Sequence, residues 1–279
     1  MSATNDIGTI FRDLHRPGDP FILMNVWDQG GAKVAAALGA QALATSSAAH
    51  AFTLGKPDMG HVTRDEALTH AQDLIAATPL PVSGDFENGF GDSPEDVAET
   101  IRLAGEIGLA GCSIEDIDMA TGGAYDFDLA VERIRVASAA ARSLGPDFVL
   151  VARADGIMNR VYDADEAVRR LQAFDTAGAD CLYAPMPRSL DDLKQLIGAS
   201  TKPFNALAAG KFAKSTRSEF AALGVARISL GSSLARVTHH IMIETAKKIL
   251  KDGDFSDFLT ASSFDNVDAL IGGPTNEPS

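Results

Sequence analysis

The chain has 279 residues, 46% of them hydrophobic and 22% charged, and a formal net charge of −14. Those proportions exclude disordered, collagen-like and coiled-coil classes and suit one large α/β domain or two smaller ones. The acidic balance and the absence of a Lys/Arg stripe argue against a nucleic-acid partner, because phosphate binding needs clustered cations.

Residues 1–14 carry Asp6 and Asp13 and lack a basic stretch followed by an apolar one, so no secretory signal is read and a cytoplasmic location is expected. Eight short apolar or β-branched runs follow, at 21–26, 42–47, 81–87, 111–116, 148–155, 181–187, 202–207 and 227–231. Uncharged residues 34–55 are Ala/Ser/Thr-rich and broken by Gly39, Gln41 and His50, which reads as helix, turn and strand and not as a membrane span. Helical periodicity separates the runs: Val97, Ile101, Ala104 and Ile107 share one face, as do Val131, Ile134 and Ala137. Cap signals precede several helices, with Thr63 before Arg64-Asp65-Glu66, Ser93 before Pro94, and Ser189 before Leu190-Asp191-Asp192. Cys112 and Cys181 each lie inside an apolar run without a partner at metal spacing, so both read as buried hydrophobes of a reducing compartment.

Strands alternating with helices require a parallel sheet covered by helices, either a closed barrel or a doubly wound open sheet. Nucleotide fingerprints are missing. Gly89-Phe90-Gly91-Asp92-Ser93-Pro94 lacks the third glycine of the dinucleotide pattern, and Asn205 stands where a P-loop ending in Gly210-Lys211 needs its first glycine. Eight runs are the number a (β/α)8 barrel needs. No linker divides residues 1–279, so they form one barrel domain. Residues 232–250 read as a long helix carrying more apolar surface than one barrel flank needs, which puts the segment 232–271 at a subunit interface and implies a homodimer or homotetramer. Residues 272–279, with Pro274 and Pro278, read as a loose tail.

In such a barrel the reacting groups sit at the carboxyl ends of the strands, and the acids of this chain gather there. The third run ends in Asp85-Phe86-Glu87, two carboxylates expected on one strand face, and the fourth ends in Glu115-Asp116. Converging acids repel unless a cation neutralises them, and a hard oxygen-liganded ion such as Mg2+ suits this set. Arg153, closing the fifth run, adds a permanent cation whose planar fork suits a substrate carboxylate or phosphate.

Thr45-Ser46-Ser47, Gly55-Lys56-Pro57-Asp58, Asp85-Phe86-Glu87-Asn88-Gly89-Phe90-Gly91-Asp92, Ile114-Glu115-Asp116 and Ala152-Arg153-Ala154-Asp155 together resemble the isocitrate lyase/phosphoenolpyruvate mutase superfamily. The similarity runs from about Phe21 to the helix after Gly231, and the acidic strand with its glycine-rich follow-on is its most specific part. The resemblance implies a (β/α)8 TIM-type barrel whose last helix is exchanged between subunits, and a small anionic carboxylate substrate bound with Mg2+, for which Mn2+ can substitute. It makes Asp85 the direct metal ligand, with Glu87 and Glu115 holding the ion's waters and Asp58 behind them. Backbone amides around Ser46, Ser47 and Ala48 would hold the substrate carboxylate, Arg153 would bridge to the oxygen that becomes an enolate, and Asn205 would contact the distal part of the substrate. Glu87 stands where many members have Asp.

A larger departure lies in the loop after the fourth run. Lyases of the superfamily carry a Lys-Lys-Cys-Gly-His-like segment there, whereas residues 117–126 read Ile-Asp-Met-Ala-Thr-Gly-Gly-Ala-Tyr-Asp, with neither Cys nor Lys. Isocitrate-type cleavage is therefore disfavoured, and the lysine- and asparagine-bearing lid of the phosphonate enzymes is missing as well. Gly122-Gly123 still suits a flexible gate, and Tyr125 is the candidate to protonate an enolate. His239-His240 with Glu244 reads as an interface helix, His50 and His61 as loop residues facing the site or solvent, and Trp27 as part of the barrel floor near the substrate. The leading expectation is Mg2+-dependent carbon–carbon cleavage or decarboxylation of the oxaloacetate type on a 2-oxo or 2-hydroxy acid, through a pyruvate-type enolate. Two alternatives stay open: phosphorus–carbon chemistry on phosphonopyruvate, and a barrel that binds a 2-oxo acid without turning it over.

Overall fold

The computed structural model describes residues 7–145 and 147–272. All eight runs form strands: β1 (Phe21–Asn25), β2 (Ala42–Ala44), β3 (Val82–Asp85), β4 (Gly111–Glu115), β5 (Val149–Arg153), β6 (Cys181–Tyr183), β7 (Phe204–Leu207) and β8 (Arg227–Ser229). Every neighbouring pair is parallel, and β8 pairs with β1 to close the barrel in sequence order. The expected (β/α)8 architecture is therefore the observed one.

Most strands stop earlier than the apolar runs suggest. The polar residues at their carboxyl ends leave the ladder to make loop contacts, as where Ser46 accepts from the Ala49 amide at 3.3 Å and starts the helix Ser47–Thr53. Thr63 and Ser93 form capping boxes on the helices Arg64–Ala77 and Pro94–Glu106, and Ser189 caps Leu190–Ile197. Two apolar regions result. One lies between the strands and their helices, around Ile101, Ile114, Leu150 and Phe174; the other fills the barrel interior with Phe21, Leu23, Val149, Val151 and Cys181. Phe11, from the helix Ile7–Asp13, packs under this second region and stacks edge-on to Phe21 at 6.0 Å, forming the floor.

The chain's last third of helix behaves differently. Ser233–Asp252 buries only Ala235 and exposes Val237, Ile241, Met242 and Ile243. Phe264–Gly272 turns back onto the helix Gln29–Ala37 of the same chain. Apart from Gly272, the expected tail 272–279 lies outside the described residues. Residues 34–55 split among the helix Gln29–Ala37, β2 and the helix Ser47–Thr53, and among the described residues no helix is long and apolar enough to cross a membrane.

Candidate active site

All eight strands contribute to a cavity of about 140 Å³ lined by Asn25, Ser46, Ser47, Ala48, Asp58, Asp85, Ser113, Arg153, Tyr183, Leu207 and Arg227 among others. Asp85 ends β3 at its centre. Its Oδ2 accepts the Ser47 amide and hydroxyl at 3.0 and 3.1 Å, while Oδ1 accepts Arg153 Nη1 at 2.7 Å and the Ser113 hydroxyl at 3.3 Å. Thr45 fixes the backbone from behind, its hydroxyl accepting the Asp85 amide at 2.7 Å. The Ser47 amide thus serves Asp85 here, and an incoming cation competes with these donors for the carboxylate.

Arg153 is held from the opposite side. Asp155 takes Nε at 3.0 Å and Nη2 at 2.6 Å in a two-pronged pair, and Glu115 lies 3.7 Å from Nη1. Burial works to lower the guanidinium's pKa, but Asp155, Glu115 and Asp85 outweigh it and hold the group well above its ordinary value. Asp155 is positioned in turn by Asp116, whose Oδ1 accepts the Asp155 amide at 2.8 Å and whose Oδ2 accepts Tyr162 at 2.7 Å and Arg170 at 3.0 Å. Sequence reading picked out Asp116 and Asp155 but missed Tyr162, Arg170 and the contacts that join the four, because they unite three loops and a helix that are neighbours only in the closed barrel.

Glu87 reaches the cluster by a route that corrects the expected one. β3 ends at Asp85, so strand alternation does not aim Glu87; a left-handed backbone with φ of 46° does, followed by Gly89 at φ 89°. Its Oε1 accepts the Gly60 amide at 2.9 Å. Burial raises the Glu87 pKa to about 7, and burial likewise raises Asp58 and carries Glu115 well above the ordinary range. Oε2 of Glu87 and Oε2 of Glu115 are buried without a partner. Carboxylates held this way demand positive charge or protons, and the cluster offers only Arg153 to Asp58, Asp85, Glu87, Glu115 and Asp155. The donor set fits a hard divalent cation. Among the described residues no three acid, His or Cys side chains are arranged to ligate one ion together.

Three expected contributors lie elsewhere. Tyr125 is buried, its hydroxyl donating to Asp92 at 2.6 Å and accepting from Asn88 Nδ2 at 2.8 Å, with the Arg133 guanidinium 4.3 Å from the ring centre. Arg133 also donates to the carbonyls of Asn88, Gly91 and Asp92, so Tyr125 braces the glycine-rich loop and does not face the cavity as a proton donor. Trp27 lines a separate cleft with His50 and His70, and its carbonyl contacts His70 Nε2 at 3.0 Å, so it is not part of the floor. Asn205 is fully buried between Ser229 and Arg227 and does not line the cavity. Sequence reading missed Asn25, whose Oδ1 accepts the amides of Leu230 and Gly231 at 2.8 and 3.0 Å, and Arg227; both alternate inward with a residue two positions along their strand.

Residues 11–250 match the family model described as phosphoenolpyruvate phosphomutase. A crystal structure of a Burkholderia cenocepacia protein described provisionally as a lyase/mutase superposes with a TM-score of 0.91 at 41% identity, covering 99% of this chain and 100% of that one. The 2-methylisocitrate lyase of Escherichia coli is 32% identical over 204 residues, 70% of this chain and 68% of the relative. A 2,3-dimethylmalate lyase structure superposes with a TM-score of 0.82 at 27% identity, covering 96% of this chain and 95% of that one. The chain belongs to the isocitrate lyase/phosphoenolpyruvate mutase superfamily. It is an enzyme of that superfamily's lyase and mutase class.

Proposed function

We propose that the protein is a Mg2+-dependent enzyme acting on a 2-oxo or 2-hydroxy acid through a pyruvate-type enolate, by carbon–carbon cleavage or decarboxylation of the oxaloacetate type. One observation carries this reading: Glu87 and Glu115 aim partnerless carboxylate oxygens into a buried acid cluster around Asp85, with Arg153 as its only cation. Asp85 would hold the ion, Glu87 and Glu115 its waters, and Asp58 the outer side; Mn2+ can replace Mg2+. When bound, the ion polarises the C1 carboxylate and C2 oxygen and offsets the charge that develops on them.

The remaining work falls to the chain. Asp155 clamps Arg153 so that Nη1 points toward Asp85, where it stabilises negative charge growing on the substrate's C2 oxygen. Backbone amides around Ser46, Ser47 and Ala48 orient the substrate carboxylate. The loop after β4 carries no thiol or ammonium to protonate a departing carbanion, which favours decarboxylation, since CO2 leaves without a proton and the pyruvate enolate that remains takes its proton at C3 from water. Its Asp118 folds the loop on itself, accepting Ala120 N at 2.8 Å and the Thr121 hydroxyl at 2.7 Å.

The test is pyruvate release from a panel of 2-oxo acids, 2-hydroxy acids and phosphonates, each with Mg2+ and with EDTA. Metal-dependent pyruvate from a four-carbon 2-oxo diacid supports the proposal. Turnover confined to phosphonates, or tight binding without turnover, overturns it. A homodimer or homotetramer with the segment 232–271 at its interface belongs to the same reading, supported by the unburied face of Ser233–Asp252, while Phe264–Gly272 stays packed on its own chain; a monomer by light scattering at micromolar concentration would end it. So does a cytoplasmic enzyme with a small anionic carboxylate as its partner.

A further inference from the structure

The cavity has a second cation that the acid cluster does not touch. Arg227 opens β8 and faces the barrel interior, where it lines the same cavity as Asp85 and Arg153. The residue is 3% exposed. Nε donates to Asn205 Oδ1 at 2.9 Å, Nη1 is buried with no partner, and among the described residues no carboxylate forms an ion pair with it. Asn205 is itself committed, its Nδ2 donating to Ser229 at 2.9 Å. A cation buried this deeply without an ion-pair partner is costly, and a fold that keeps one leaves a charge for a ligand to complete.

Its place in the barrel says where that ligand group lies. In the strand register Arg153, Tyr183, Asn205 and Arg227 are successive partners across β5 to β8, and the next partner is Phe21 on β1. Such a row descends along a barrel because the strands are tilted. Arg153 stands beside the acid cluster at its upper end, and Phe21 rests on Phe11 of the floor. Arg227 therefore sits deeper than Arg153 in one cavity of about 140 Å³, close to the ~150 Å³ of an engineered cavity that takes up benzene, and hence with room for a molecule of a few carbons.

We propose that Arg227 is a specificity-determining residue that binds the far anionic group of the substrate, so that the pocket selects short dicarboxylic acids over monocarboxylic acids of the same length. The assignment rests on the reading above for the end held near Asp85 and Arg153. Arg227 touches no atom that reacts; it fixes the end of the molecule remote from the metal cluster.

Calorimetric titration of the full chain with Mg2+ and either malate or 2-hydroxybutyrate isolates this contact, because the two share the 2-hydroxy acid end and differ by a distal carboxylate against a methyl group. The wild type should bind malate at least tenfold tighter. Arg227→Met should bring the ratio of affinities close to one, Arg227→Lys should keep part of it, and the melting temperature of unliganded Arg227→Met should hold or rise. A merely structural arginine predicts the reverse: a lower melting temperature and an unchanged ratio, which overturns the proposal. Equal binding of both acids by the wild type also overturns it, whatever the variants do, so a misfolded methionine variant does not protect the idea. Failure of the metal-anchor reading looks different: neither acid binds and Asp85→Ala behaves as wild type, and then both proposals fall.

Discussion

Arg153 and Arg227 are both buried in the interior of one barrel, three strands apart, and their surroundings are opposite. Asp85, Glu115 and Asp155 surround Arg153, whereas Arg227 has an amide oxygen for company and acts on the His15 ring, whose protonation it disfavours. The first half of the cavity holds more negative charge than its arginine can balance; the second holds an arginine that, among the described residues, no carboxylate pairs with directly. Two unlike deficits in one small space describe a ligand set: a cation for the first and an anion for the second.

The strongest test of the acid half is Asp85→Ala. Turnover should fall roughly 10³-fold and metal-induced thermal stabilisation should vanish, with the circular dichroism spectrum preserved, because Asp85 is a strand-end group and not a core one. Asp155→Ala comes next. Removing a fully buried carboxylate from its two-pronged pair leaves Arg153 Nε and Nη2 buried without acceptors, and urea unfolding should register a loss of about 3–5 kcal/mol. The contrast with Arg227→Met, which removes a buried charge that has no ion partner, is the direct measure of how differently the halves are compensated.

Glu87→Gln should be milder, weakening Mg2+ affinity ~10–100-fold, as expected of a group that acts through an intervening water. Equal damage from Glu87→Gln and Asp85→Ala would contradict the assigned roles. In the other half, His15 donates to or accepts from nothing at Nε2, and burial, aided by Arg227, lowers its pKa from 6.5 to about 3. The unfolded chain then takes the proton first. Stability is complete above pH 6.5 and declines as pH falls toward about 3, with a slope of up to about 1.4 kcal/mol per pH unit from this group. Comparing urea midpoints at pH 7 and pH 5 should show a smaller loss in His15→Phe than in wild type. Smallest of all, Tyr125→Phe should cost about 1 kcal/mol of stability from its contact with Asp92 and leave the rate of product ketonisation unchanged; a slowed ketonisation would return Tyr125 to the chemistry.

The sequence by itself determined the barrel and the acid cluster. Eight apolar runs alternating with capped amphipathic helices leave few ways to bury both faces of a parallel sheet, and strand ends are where a barrel puts its loops. Asp85, Glu87, Glu115 and Arg153 were therefore legible as a group, and Asp58 through the family resemblance alone. The tertiary structure decided which neighbours complete them. Arg227 hides two residues below the end of β8, in a register position fixed only when β8 meets β1, Asn25 is engaged by the amides that follow β8, and Asp155 finds Asp116 only across two strand–loop junctions. It also removed Tyr125 and Trp27 from the cavity, because the direction of a loop side chain depends on the groups that bind it, here Asp92, Asn88 and Arg133, and not on its distance along the chain from a strand. Proximity set by closure of a sheet carries no local signal, and in this protein the balance of buried charge depends on it.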